Sequence, residues 1–135
     1  MPKFSQHSLR ELATCDRRLQ DIAWEAINVI DFRVLEGHRN EAAQNAAKAR
    51  GASTLPWPLG KHNALPSRAF DFSPWPIDWD DNIKALSRFT LIAGVMLAIA
   101  KRRNIKVRFG FDWNRNLDPR DEKFLDWGHI ELDEP

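Results

Sequence analysis

Five prolines, Pro56, Pro58, Pro66, Pro74 and Pro76, do most to limit what this chain can fold into. Proline locks φ near about −65° and removes a backbone N–H, so residues 52–68 can be neither helix interior nor central strand. Gly60 punctuates the same stretch. The one ordered piece with room to form there is a short strand around Ala69–Phe72, ended by Pro74. Regular structure must therefore lie on either side of this irregular middle.

Before it, Ser8-Leu9-Arg10-Glu11 has the form of a capping box. Leu12, Cys15, Leu19, Ile22, Ala26 and Ile30 then recur at three- and four-residue steps, which predicts one amphipathic helix over residues 9–29. Ile30, Phe32 and Val34 alternate as a strand does, ending at Glu36-Gly37. Asn40 is placed to cap a second helix, Glu41 to Arg50, closed by Gly51. After the prolines, a long helix is expected from Asp81 to Arg103. It turns Ile83, Leu86, Phe89, Ile92, Ala93, Met96, Leu97 and Ala100 inward, with Asp78, Asp80 and Asp81 at its positive end. Its apolar run Leu91–Ala100 is too short to span a bilayer and reads as a core helix. Val107, Phe109 and Phe111 predict a strand, Asn114 to Lys123 a loop, and His129 to Leu132 a last short strand. This order implies an α+β fold with a small antiparallel sheet flanked by helices, in a single domain over residues 1–135.

A net charge of +1 gives no electrostatic reason to expect a nucleic-acid partner. The basic run Lys101-Arg102-Arg103, with Lys106 and Arg108, falls at a helix C-terminus, where cations complement the dipole. A single cysteine, Cys15, excludes an internal disulfide and a thiolate zinc cage, and its helical spacing makes it a small core residue. The first twenty residues are too polar for a secretory signal, so the protein is expected in the cytoplasm. Trp57, Trp75, Trp79, Trp113 and Trp127 all fall in irregular stretches, and Trp24 in a helical one.

Chemistry is narrowed by elimination among four histidines. His7 lies in a polar terminal segment. His38 stands beside Arg39 in a turn, where it would orient a neighbour or line a cleft. His62 sits in the Gly/Pro loop, and His129 follows Asp126 by three residues. Two imidazoles and one carboxylate make a three-ligand zinc site with a fourth position for water, the arrangement of a catalytic zinc. Asp71, facing away from Phe70 and Phe72 on its strand, and Asp126 are the two carboxylates available. One would ligate and the other would be free to act as base. Arg39 suits a substrate carboxylate or an oxyanion.

These residues carry a resemblance. Glu36-Gly37-His38-Arg39, Lys61-His62-Asn63, Pro66-Ser67-x-Ala69-x-Asp71 and Asp126-Trp127-Gly128-His129 occur in the order found in a family of zinc peptidases. That family includes D-alanyl-D-alanine carboxypeptidases, vancomycin-resistance dipeptidases and phage L-alanyl-D-glutamate endolysins. The resemblance covers residues 32–132 and implies zinc held by His62, Asp71 and His129. It also implies Asp126 as general base and Arg39 as the group that polarises the scissile carbonyl. His38, Ser67 and Trp127 are the expected substrate contacts. Two departures stand out: eight residues rather than six separate His62 from Asp71, and Glu131 occupies the second position of a frequent His-x-His ending.

An Asp rather than a Glu at position 126, and the Pro66-Ser67 form of the middle motif, are similar to short phage endolysins. The expected activity is zinc-dependent cleavage of the L-Ala–D-Glu bond in the peptidoglycan stem. The protein would be a monomer without a separate wall-binding domain or stable membrane association, kept in the producing cell until the membrane is opened. A D-alanyl-D-alanine carboxypeptidase or dipeptidase, and a zinc-stabilised virion or binding protein without activity, are the alternatives.

Overall fold

The structure, a computed structural model, describes residues 2–135. Its helices are α1 (Gln6–Leu12), α2 (Arg17–Ala26), α3 (Glu41–Ala49) and α4 (Ile83–Arg102). Its strands are β1 (Arg33–Glu36), β2 (Ala69–Ser73), β3 (Val107–Phe109) and β4 (His129–Leu132). Short 3-10 turns cover Lys61–Asn63 and Pro119–Asp121. The strands form one antiparallel sheet in the order β1-β2-β4-β3, which is the expected α+β architecture.

One face of the sheet is apolar because alternate side chains point the same way. Val34, Phe70, Phe72, Val107, Phe109, Ile130 and Leu132 lie on it and join a cluster with Leu12, Leu19, Ile22, Phe89, Ile92 and Met96 from the helices. Full burial of side chains of this size stabilises by about 1.5–3 kcal/mol each relative to exposure. α1 packs on β1, and α4 packs on α2 and β3. α4 is long and apolar enough by composition to cross a membrane. Here its Phe89, Ile92, Ala93, Met96, Ile99 and Ala100 are buried in the cluster.

Three details differ from expectation. The helix predicted over residues 9–29 is two helices. Ser5 caps α1, accepting from the Ser8 N–H at 3.1 Å, and Asp16 caps α2, accepting from the Arg18 N–H at 2.9 Å. Ser8 and Glu11 serve longer-range contacts. The Ser8 hydroxyl accepts from the Val34 N–H at 3.0 Å and the Glu11 carboxylate from the Gly37 N–H at 3.1 Å, stitching α1 to β1. Leu12, Cys15, Leu19, Ile22 and Ala26 are buried as expected, and burial pushes the Cys15 thiol up to about 12. Second, α4 starts at Ile83 with Asn82 as its cap, so Ile83 is 83% exposed in the first turn, while Ile99 takes an inward position. Third, the strand predicted through Phe111 stops at Phe109. The basic run has partners on α2: Arg102 and Arg103 pair with Glu25, and Arg103 lies near Asp21.

Candidate active site

The candidate site is built on the other face of the sheet. Asp71 alternates with Phe70 and Phe72, so it points away from the core, and across the strands it stands opposite Glu36 on one side and His129 on the other. Glu36 reaches that row through a β-bulge between Val34 and Glu36. A regular strand would have paired Leu35 with Asp71 and turned Glu36 toward the core, because a one-residue shift changes the face. The bulge therefore brings a carboxylate to Arg39, whose guanidinium binds it with Nε at 2.7 Å from Glu36 Oε1.

His62 comes from the 3-10 turn, which is locked to the segment carrying Arg39. The Arg39 N–H donates to the His62 carbonyl at 2.8 Å, and the Asn63 amide donates to the Arg39 carbonyl at 3.0 Å. Arg68 N–H donates to the Lys61 carbonyl, closing the loop between them. The two extra residues expected between His62 and Asp71 are absorbed here, with Leu65 pushed out to 73% exposure. Ser67 is pinned below by the Thr14 carbonyl.

His62 Nδ1 lies 2.6 Å from the Gly37 carbonyl, an acceptor only, so this nitrogen carries the proton and Nε2 presents a lone pair. His62 Nε2 stands 3.2 Å from Asp71 Oδ1, and His129 Nδ1 stands 3.1 Å from the same oxygen. His129 Nε2 is 2.9 Å from Glu131 Oε1, which fixes the proton on that side when the ring is neutral. With both rings neutral, two lone pairs and a carboxylate oxygen face one another, and only a cation makes that arrangement favourable. These three ligand atoms lie within 4.8 Å of one another. Ligands held at about 2.0–2.1 Å around a tetrahedral zinc stand about 3.3–3.4 Å apart. The residues fit such an ion.

In the metal-free protein a proton takes the cation's place. Burial alone would lower the His129 pKa, but hydrogen bonds to Asp71 and Glu131 and the nearby carboxylate charges raise it to about 10. Burial would raise the Asp71 pKa, yet the His62 and His129 rings that face its carboxylate hold it well below the carboxylate range.

Asp126 lies just outside this triangle, Oδ2 4.0 Å from His129 Nδ1. Its pKa is raised by burial and by the negative charge of Asp71. Two glycines let its backbone come this close. A Cβ on Gly110 would stand 2.4 Å from the Asp126 carbonyl oxygen, and one on Gly128 would stand 2.3 Å from that of Phe72.

Arg39 is buried, its Nη2 3.1 Å from Asp71 Oδ2 and its Nη1 3.0 Å from Gln44 Oε1. Gln44 is buried on the inner face of α3, and its amide also donates to the Leu55 carbonyl at 2.7 Å. A glutamine among alanines on a helix face is the only trace of it in the sequence. Two adjoining clefts meet here, of about 430 and 550 Å³, both bordered by Arg39, Phe124 and Asp126. His62, His129, Arg108, Trp113 and Glu131 open onto the first, and Asp71, Phe89, Trp79 and Trp127 onto the second.

The structure thus brings together His62, Asp71, His129, Asp126 and Arg39, and puts Trp127 at the edge of the second cleft, stacked 5.2 Å from Phe111. His38 and Ser67 lie away from this centre. His38 Nδ1 bonds the Ala64 carbonyl at 3.0 Å, the Ser67 hydroxyl donates to the Ala69 carbonyl at 2.7 Å, and neither residue lines a cleft. They are fasteners of the loops that carry Arg39 and Asp71. Gln44, Glu36, Arg108 and Trp113 were missed as site residues, since a charge on a short strand or a polar residue in a helix reads as solvated surface.

A family model described as phage L-alanyl-D-glutamate peptidase matches residues 1–133. The L-alanyl-D-glutamate peptidase of Escherichia phage T5 is 35% identical over 138 residues, covering 96% of this chain and 97% of the relative. Among solved structures, the Serratia marcescens L-Ala D-Glu endopeptidase ChiX superposes with a TM-score of 0.72 at 22% identity. That match covers 96% of this chain and 90% of the other, and it shows a shared fold.

Proposed function

Because the chain belongs to the phage L-alanyl-D-glutamate peptidase family, we propose that it hydrolyses the L-Ala–D-Glu bond of the peptidoglycan stem with a zinc ion on His62, Asp71 and His129. The observation that carries the zinc assignment is the convergence of two lone-pair nitrogens and one carboxylate oxygen, with Asp126 beside them and outside the ligand set. When bound, zinc would act as a Lewis acid, lowering the pKa of water to about 7 and polarising the scissile carbonyl.

Asp126 takes the proton of the attacking water and later gives it to the departing D-Glu nitrogen. Burial suits it to both tasks, since a carboxylate of raised pKa accepts and returns a proton more readily near neutral pH. Arg39 holds Asp71 by Oδ2, which leaves Oδ1 facing the two imidazoles. Its remaining Nη1 N–H is free to meet the carbonyl oxygen as negative charge develops there. Arg39→Ala is expected to lower turnover by about 10²–10³-fold. Arg39→Lys should restore little, because an ammonium cannot bond Glu36, Gln44 and Asp71 in one plane. Wild-type turnover in Arg39→Ala would remove the arginine from the mechanism.

Digestion of purified sacculi, followed by labelling of new amino termini and mass spectrometry, tests the bond. New N-terminal D-Glu is the expected product. Free D-Ala without it would assign the protein to terminal trimming instead. The reading also has the protein act from inside the producing cell once the membrane is opened. Lysis by added protein should then need a permeabilised outer barrier, and equal lysis of intact cells would contradict it.

A further inference from the structure

The two clefts differ in charge. Apart from the groups at the centre itself, the first presents Lys61 and Arg108 against Glu131. The second presents Glu36, Asp78 and Asp80 against Arg50, beside Trp79 and Trp127. The substrate is asymmetric in the same sense. A D-Glu residue has two carboxyl groups, and one stays free when the other continues the chain, so the leaving half is anionic close to the cut. The alanyl half, with the sugar it hangs from, carries no charge.

Arg108 is placed to read that difference. On β3 it points to the site face while Val107 and Phe109 point into the core. Its Nε and Nη2 bond Glu131 Oε2 at 3.2 and 2.8 Å, and its guanidinium lies over the Trp113 ring, 5.4 Å from the centroid. Nη1 reaches the Trp113 carbonyl only at 3.4 Å. A guanidinium has five N–H donors, so one remains on each of Nη1 and Nη2, held in a plane by the contacts on the other edges. The side chain is 31% exposed and borders the first cleft together with His129 and Asp126. A pre-positioned pair of N–H groups on a residue that borders the cleft matches the two oxygens of a carboxylate.

Resting on the L-Ala–D-Glu assignment above, we propose that Arg108 binds the free carboxylate of the D-Glu residue, so that the leaving half of the stem lies in the first cleft and the alanyl-glycan half in the second. Arg108 is then the residue that sets preference for the acidic stem over its amidated form, in which that carboxylate is a neutral carboxamide. A charge-assisted, two-point contact of this kind is worth about ten- to hundredfold in kcat/KM.

The experiment compares two soluble muropeptides that differ only in D-Glu against D-isoglutamine, cleaved by the zinc-loaded wild type, Arg108→Gln and Arg108→Lys. The wild type is expected to prefer the acid by about ten- to hundredfold, mainly through KM, Arg108→Gln to bring the ratio close to one, and Arg108→Lys to recover part of it. Any disturbance passed through Glu131 to His129 falls on both substrates alike and leaves the ratio unchanged. A ratio unaltered by Arg108→Gln, or no preference in the wild type, overturns the proposal. Failure of the wild type to cut either muropeptide at this bond overturns the assignment beneath it, and is distinguishable because no variant enters that comparison.

Discussion

Replacing Asp126 by Asn is expected to lower peptidoglycan hydrolysis by about 10²–10⁴-fold while fold and metal content stay as in the wild type. The exchange keeps the shape of the side chain. It also leaves the backbone bonds that hold the segment, the Asp126 N–H to the Gly110 carbonyl at 2.7 Å and the Gly110 N–H to the His129 carbonyl at 2.9 Å. What it removes is the ability to accept a proton. The Asp126 oxygen is 4.0 Å from His129 Nδ1 and stands apart from the three convergent ligand atoms, so no metal bond is lost. Turnover on sacculi, with zinc measured on the same preparation, checks the result. A variant that works at the wild-type rate would take the base role from Asp126.

Removal of zinc should have an effect of similar size on activity and a second one on stability. Any ligand that binds only the folded state stabilises by mass action, about 4 kcal/mol at a thousandfold excess over Kd, which for a chain of this length raises Tm by roughly 10 °C or more. The increment should depend on pH with a definite sign. In the metal-free protein the His129 pKa is raised to about 10 from an ordinary value near about 6.5. The stability this proton contributes is fully present below about pH 6.5 and is lost as pH rises through about 10. Zinc displaces the proton, so the loaded protein does not suffer that loss, and the Tm gap between loaded and chelator-treated protein should widen from pH 6.5 to pH 9. A gap that is constant or narrows would mean that the His129 proton and the metal do not compete for one place.

Much of the site was legible because each of its groups sits in a short segment whose composition is set by chemistry. Asp71 could be placed on the polar face of β2 from the alternation with Phe70 and Phe72 alone, and Asp126 and His129 from their three-residue spacing. The strands β2 and β4 were legible for the same local reason. What was not legible depends on partners distant in sequence. The break between α1 and α2 is fixed by the Ser67 N–H donating to the Thr14 carbonyl and the Asp16 N–H donating to the Ser67 carbonyl, each at 2.8 Å. Apolar spacing continues undisturbed through that break because both helices face the same core. Ser8 and Glu11 have the local form of a cap but are used by Val34 and Gly37 of β1 and the turn after it. The bulge that turns Glu36 toward Arg39 has no residue signature at all. The clefts are assembled from six or more separate segments, and so Arg108, Gln44 and Trp113 became visible only with the fold.

The claim on which the rest depends is that His62, Asp71 and His129 hold one zinc ion and Asp126 does not. It is tested most directly by counting zinc per chain in wild type, Asp71→Asn and Asp126→Asn, each purified without chelator and shown to be folded by circular dichroism. One zinc in the wild type, one in Asp126→Asn and almost none in Asp71→Asn is the expected result. Zinc kept by Asp71→Asn and lost from Asp126→Asn would contradict it and exchange the roles of the two carboxylates.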